Sequence, residues 1–211
     1  SDVYKRQAII RAVEDGCNVI NMSIGWYGRC PEIDEAVKEA LSHNVIIVAA
    51  AGNNNVGTLR IPARMNGVIA VGGCTPTGER WVHSKTKGSN WGDNLCCLAP
   101  AAPQITTRNM RSRFAKVDAT SMACANITGV MALAKAINQT VNADEIKHLI
   151  AQCSTNSLWN QQEGYGVPDA YKICASLRDD HNWSARIHAQ STLIRHAASM
   201  LDDIANELKE K

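Results

Sequence analysis

The sequence predicts an α/β fold of three layers, with a mostly parallel sheet covered by helices on both faces and a helical tail behind it. Three observations predict it. Strand-length runs such as Val45 to Ala51 are apolar without alternation, the pattern of a strand buried on both faces. These runs alternate with stretches whose apolar residues recur at helical spacing, the order of a parallel sheet with crossover helices. Near the C-terminus, apolar residues return every seven positions, which makes an amphipathic helix.

Taken in order, Ala8, Ile9, Ala12 and Val13 mark a first helix that stops at Gly16, a good C-terminal signal. The heptapeptide before it, Ser1 to Gln7, shows no period joining it to that helix and carries no initiator Met. It reads as a non-native leader (residues 1–7), with the true N-terminal part of the protein lying outside this chain. Cys17 to Ser23 reads as a strand whose Val19-Ile20 is too apolar for an exposed edge. Ile33, Ala36, Val37, Ala40 and Leu41 form a second helical stripe, Val45 to Ala51 a second strand and Val68 to Val71 a third. Residues 75–117 differ: Pro76, Pro100 and Pro103 interrupt them, and they read as hairpins and surface loops. Ser121 to Ile137 returns to helical period, and Asn142 followed by Glu145 is a capping-box start for a helix to about Cys153. In the tail, Ile187, Ile194, Leu201 and Leu208 define the heptads, with Ala197 and Ile204 between them. That helix either packs on its own domain or serves as a partner-binding surface over residues 184–208.

Composition narrows the classes. The 211 residues are 45% hydrophobic, enough for one real core, and the single Phe among many Ala, Val and Ile implies tight packing of small side chains. A net charge of +2 predicts no general attraction to nucleic acid or anionic membranes. The longest uninterrupted apolar run, Val45 to Ala51, is too short for a membrane span, and no segment has the layout of a signal peptide. Neither a phosphate-binding Gly-rich loop nor a metal-ligand spacing occurs, so no cofactor and no metal are expected. Of the eight Cys, Cys96 and Cys97 are adjacent, a poor geometry for bonding each other. Cys17 and Cys124 sit in apolar sequence and read as small core thiols. Mostly reduced cysteines argue weakly against an oxidising compartment. The sequons at Asn21 and Asn126 fall in expected core elements.

Several segments, in order, resemble the subtilisin-like serine proteases, the subtilases. They are Asn18-Val19-Ile20-Asn21-Met22-Ser23-Ile24-Gly25, then Val45 through Ala51-Gly52-Asn53, then Ala119-Thr120-Ser121-Met122-Ala123. Between and after them Ile61-Pro62-Ala63, Val68-Ile69-Ala70-Val71-Gly72, Leu98-Ala99-Pro100 and Gly164-Tyr165-Gly166-Val167-Pro168-Asp169-Ala170 also match. The resemblance covers roughly residues 8–176 and makes them part of a subtilase catalytic domain, with 177–211 as the tail. It implies a serine endopeptidase acting on polypeptides, with Ser121 as nucleophile and Asn53 as side-chain donor to the oxyanion. Ser23, Gly25, Ala51, Gly52, Arg60 and Thr120 are the implied substrate-binding residues, and an extracellular site follows from the family alone.

The residue types suit that chemistry. A Ser at a helix N-terminus has unpaired backbone N–H groups beside it and a dipole that favours developing negative charge. An Asn placed after a buried strand and a Gly is presented at the carboxyl end of a sheet, where open parallel sheets place ligands. By the resemblance, Arg60 floors the primary pocket and would pair with a substrate carboxylate; alternatively it points to solvent. The seven basic and two acidic side chains between Gly78 and Lys116 are a solvated face or a longer-range attraction for acidic substrates. Departures from the family pattern are Ala119 for Gly, Ala125 for Pro and Asn126 for His. In subtilases the catalytic Asp and His precede the first of these segments, so the resemblance places both outside the chain. The fragment alone is then expected to be inert, and the rival reading is a catalytically dead subtilase-fold binding or scaffold module.

Overall fold

The computed structural model describes residues 2–28, 30–107 and 114–178. The first helix, α1 (Asp2–Glu14), is followed by β1 (Val19–Met22), α2 (Pro31–Ser42), β2 (Ile46–Ala50) and β3 (Ile69–Cys74). A hairpin of β4 (Val82–Ser84) and β5 (Lys87–Gly88) leads to β6 (Leu95–Pro100). A second hairpin, β7 (Gln104–Thr107) with β8 (Phe114–Val117), precedes α3 (Thr120–Ile137), α4 (Ala143–Cys153) and α5 (Ala170–Arg178). Residues 1–174 form one compact unit and 175–211 a second. Of the second, only 175–178 are described, and the heptad helix expected over 184–208 lies outside the described residues.

The main sheet runs β1-β2-β3-β6, and every neighbouring pair is parallel. All five residues of β2 and all six of β3 are buried, as a strand covered on both faces requires. Alternation divides the faces. Ile47 and Ala49 share a core with Ile9 of α1 and Ile33, Val37 and Ala40 of α2. The opposite face meets α3, which packs across β1, β2, β3 and β6. The α3 residues that bury there, Ala123, Cys124, Ile127, Met131 and Ala134, follow helical spacing. This helix is long and apolar enough to cross a membrane, yet these residues spend its apolar face on the sheet.

Four expectations change. Residues 2–7 form the first half of α1; Val3 and Tyr4 are exposed there, so no apolar stripe announces the helix. Within 75–117, β6 is a buried strand of the main sheet, with Leu95 through Ala99 all buried. β1 is an edge among the described strands, paired only with β2, and Val19 and Ile20 are half-buried. Cys17 is exposed, and so are Asn21 and Asn126, because β1 has no second neighbour among the described strands and α3 buries only one stripe.

The capping box forms as expected. Asn142 Oδ1 accepts from the backbone N–H of Asp144 and Glu145 at 3.0 Å each, and Glu145 Oε2 accepts from the Asn142 N–H at 2.9 Å. Asn142→Ala is expected to cost about 1 kcal/mol, read as a shift of the urea midpoint at unchanged slope.

Cys74, Cys96, Cys97 and Cys124 are buried thiols outside any disulfide. Cys124 lies on the buried side of α3, its Sγ donating to Asn21 Oδ1 at 3.3 Å and Val48 O at 3.4 Å. Burial pushes its pKa from 9.0 to about 11. A folded pKa above the unfolded one means stability that is complete below pH 9 and lost as pH rises through 11. Cys124→Ser should therefore flatten the decline in unfolding free energy between pH 9 and 11 by about 2–3 kcal/mol. Comparing the two proteins isolates this group from Lys135, whose burial lowers its own pKa. Equal slopes would show that Cys124 is solvated in the native state.

Candidate active site

The carboxyl ends of β1 and β2 and the N-terminus of α3 converge on one cleft of about 290 Å³. Parallel strands that end together leave their following loops on one side of the sheet, which is where such folds open. Ser23 and Gly25 enter it from the segment after β1, Gly52 and Asn53 from the segment after β2, Thr120 and Ser121 from α3, and Arg60 from the loop before β3. Ala51 is fully buried behind it, accepting the Arg60 N–H on its carbonyl at 3.0 Å. Ile24 and Asn54 also line the cleft, although neither stands out in the sequence. Asn54 is hidden in the Asn53-Asn54-Asn55 run, where all three residues suit a turn.

Ser121 is the second residue of α3, and its first turn carries no acidic side chain, so the positive end of the helix dipole is uncompensated. Ala119 caps the helix in extended backbone, φ −165° and ψ 148°, a conformation any residue adopts, so a methyl in place of glycine creates no strain. Two reciprocal bonds tie Ser121 to the segment after β1. Its Oγ donates to the Ser23 carbonyl at 3.2 Å, and Ser23 Oγ donates to the Ser121 carbonyl at 3.0 Å. Asn21 supports Ser23 by donating from Nδ2 to its Oγ at 3.0 Å, and its Oδ1 accepts from Thr128 on α3 at 2.9 Å. In the sequence Asn21 stands out only as a sequon and as part of the Asn18 to Gly25 segment; its contacts to Ser23 and Thr128 needed β1 and α3 to meet.

The orientation of Asn53 is set by its neighbours. Its Oδ1 accepts from the Thr120 backbone N–H at 2.8 Å and from the Thr120 hydroxyl at 2.9 Å. Because the Thr120 N–H can only donate, the Asn53 atom facing it is the oxygen. The Thr120 hydroxyl in turn accepts from the Gly52 N–H at 3.3 Å. Both acceptor contacts fall on Oδ1, which leaves the Asn53 Nδ2 with its two N–H donors without a hydrogen-bond acceptor among the described residues. Gly52 has φ +112°, and a Cβ there would come within 2.5 Å of Asn90 Nδ2. Glycine is required to turn the chain from β2 into this position.

No histidine or carboxylate lines the cleft among the described residues. His43 caps α2 and touches Glu39, His83 sits on β4, and His148 lies on α4 beside a different, larger hollow with Asp93 and Asp144. His181, His188 and His196 are outside the described residues.

A parallel sheet between helical layers, with Ser121 at a helix start and Asn53 after a strand lining one cleft at its open end, defines the class as an α/β protein. The chain belongs to the subtilase family (Peptidase S8), whose family model matches residues 1–166. It is 29% identical over 164 residues to alkaline elastase YaB of Bacillus sp. (strain YaB), covering 78% of this chain and 42% of that protein. Against the major intracellular serine protease of Bacillus subtilis (strain 168) it is 34% identical over 133 residues, 61% of this chain and 40% of the relative. Among solved structures, the self-cleaved protease domain of PatA superposes with a TM-score of 0.72 at 25% identity, covering 85% of this chain and 69% of that one. A protease of Pseudoalteromonas arctica PAMC 21717 gives a TM-score of 0.64 at 28% identity, covering 76% and 51%. The chain thus spans 40–42% of the length of these two curated relatives.

Proposed function

We propose that the protein containing this chain is a subtilisin-type serine endopeptidase that cleaves polypeptides through an acyl-enzyme on Ser121. The observation that carries the reading is the orientation of Asn53. Thr120 holds its oxygen, so its amide N–H groups are left for a ligand in the cleft that Asn53 shares with Ser121. A donor fixed in advance stabilises the oxyanion of a tetrahedral intermediate without reorganising. The Ser121 N–H, in the first helical turn, has no intrahelical acceptor and serves as the second donor. Ser23 and Gly25 would hold the substrate backbone in extended form along the segment after β1, with Ala51, Gly52 and Thr120 shaping the wall opposite.

The general base comes from outside the described residues. Ser121 Oγ donates to a backbone carbonyl, which cannot take its proton, and a serine without a base is a weak nucleophile at neutral pH. Two surfaces support an additional layer that would bring the base. One is the half-buried apolar edge of β1, and the other is the exposed side of α3, where Leu133 is 57% exposed. Residues 1–211 alone are accordingly proposed to be inert.

The rival reading, a catalytically dead subtilase-fold binding or scaffold module, is favoured by Asn126 in place of the family's His and by the Ser121 to Ser23 bond that occupies the nucleophile. A fluorophosphonate probe separates the two. The protein encoded by the complete gene should be labelled at Ser121 and hydrolyse casein, whereas residues 1–211 alone should do neither. A complete protein carrying an upstream Asp and His that resists the probe would establish the scaffold reading.

A further inference from the structure

We infer that Arg60 makes this cleft a receptor for an acidic side chain, so that the preferred residue before the scissile bond is Asp or Glu. The inference rests on the protease reading for the word scissile, but the recognition itself rests on the cleft. Arg60 is the one charged residue among the described residues lining it. Its position is built from three parts of the chain. The stem runs between Gly25 and Gly52: a Cβ on Gly25 would lie 2.6 Å from Arg60 Cβ, and one on Gly52 would lie 2.7 Å from Arg60 Cγ. Two glycines therefore make the space the stem fills. The backbone is pinned on either side, by Arg60 N–H to Ala51 O at 3.0 Å and by the paired Trp26 and Ile61 bonds at 3.1 Å.

The guanidinium is held from one face and one edge. Its central carbon lies 3.6 Å from the centre of the Tyr27 ring, and one terminal nitrogen donates to Asn54 Oδ1 at 2.7 Å. No carboxylate pairs with it among the described residues. A guanidinium offers five N–H donors in a planar fork, so a single amide acceptor leaves most of that capacity open. A carboxylate entering the cleft would find a bidentate, charge-assisted partner already oriented. An apolar side chain would instead strip water from the cation and return no hydrogen bond, a cost without compensation. Stacking on Tyr27 keeps the fork in one plane, which reduces the entropy lost when the carboxylate binds.

The decisive comparison is Glu against its uncharged isostere Gln, because a side chain that merely narrows the cleft treats the two alike. Peptides identical except for Glu, Gln or Leu before the cleaved bond would be tested on the protein from the complete gene. Turnover is measured with the wild type and equilibrium binding with Ser121→Ala. Glu is expected to exceed Gln and Leu at least tenfold in kcat/KM and in binding, with the Glu advantage shrinking as salt rises. Arg60→Ala should bring the Glu to Gln ratio to one or below, and Arg60→Lys should keep part of it. Equal use of Glu and Gln by the wild type, or a ratio unchanged by Arg60→Ala, overturns the inference. Fluorophosphonate labelling of the wild type keeps the two readings apart. Labelling with equal Glu and Gln removes the acidic recognition and leaves the protease. Glu-selective binding without labelling removes the protease and leaves the recognition. Where Arg60→Ala fails to fold, the Glu to Gln ratio of the wild type and of Arg60→Lys decides alone.

Discussion

Ser121→Ala in the complete protein is expected to lower kcat for peptide hydrolysis by about 10⁶, the loss subtilisin suffers when its serine or its base is removed. The size of the effect reflects the division of labour at the cleft. In the proposed protease, serine and base would act as a unit, so removing one would forfeit what both contribute and leave only the oxyanion donors and substrate binding. Those supply about 10³–10⁴ over the uncatalysed reaction. Binding should survive, because the Ser121 Oγ contact to the Ser23 carbonyl at 3.2 Å concerns the nucleophile and leaves the cleft walls in place. The measurement is single-turnover hydrolysis of a peptide together with its dissociation constant. A loss of less than tenfold in kcat would assign the chemistry to a residue other than Ser121.

Asn53→Leu is expected to reduce kcat by about 10²–10³ with KM little changed, the scale subtilisin shows on losing its own oxyanion-hole asparagine. The split matters because an oxyanion donor meets its partner only in the transition state, so its removal falls on kcat. Asn53 also has a structural duty, since its Oδ1 accepts from the Thr120 N–H at 2.8 Å and from the Thr120 hydroxyl at 2.9 Å. Asn53→Asp separates the two roles. It retains an oxygen for Thr120 and removes the N–H donors, and its negative charge opposes the oxyanion. It should therefore unfold at a denaturant concentration close to wild type while losing at least as much kcat as Asn53→Leu. Loss of stability in Asn53→Asp without loss of kcat would make Asn53 a brace for α3 and not a donor.

How much was legible varies by element for physical reasons. β2 was plain because burial on both faces demands an unbroken apolar run, and Ile46 through Ala50 are all buried. β6 was not, although five of its six residues are buried. Its Leu-Cys-Cys-Leu-Ala-Pro sequence has no β-branched residue and sits in a stretch rich in turn residues, so local chemistry pointed to loops while the sheet supplied its partner in β3. The first half of α1 carried no apolar stripe to read, since Val3 and Tyr4 face solvent. At the cleft, Ser121 and Asn53 could be nominated because the segments around them, Ala119 to Ala123 and Val45 to Asn53, resemble family motifs.

By itself the sequence determined the parallel α/β layering, the helix starts at Asn142 and near Ser121, and the motifs that resemble the subtilases. Those properties are carried by local patterns: apolar runs, helical spacing and short motifs. Tertiary structure alone decided which way the side chains face. The Asn53 oxygen is engaged because Thr120, distant in the chain, donates to it from its backbone N–H and its hydroxyl. Arg60 lines the cleft with its stem between Gly25 and Gly52, from two other loops, while Tyr27 and Asn54 meet its guanidinium. Orientation depends on atoms that only folding brings within hydrogen-bonding distance, and no spacing along the chain encodes it.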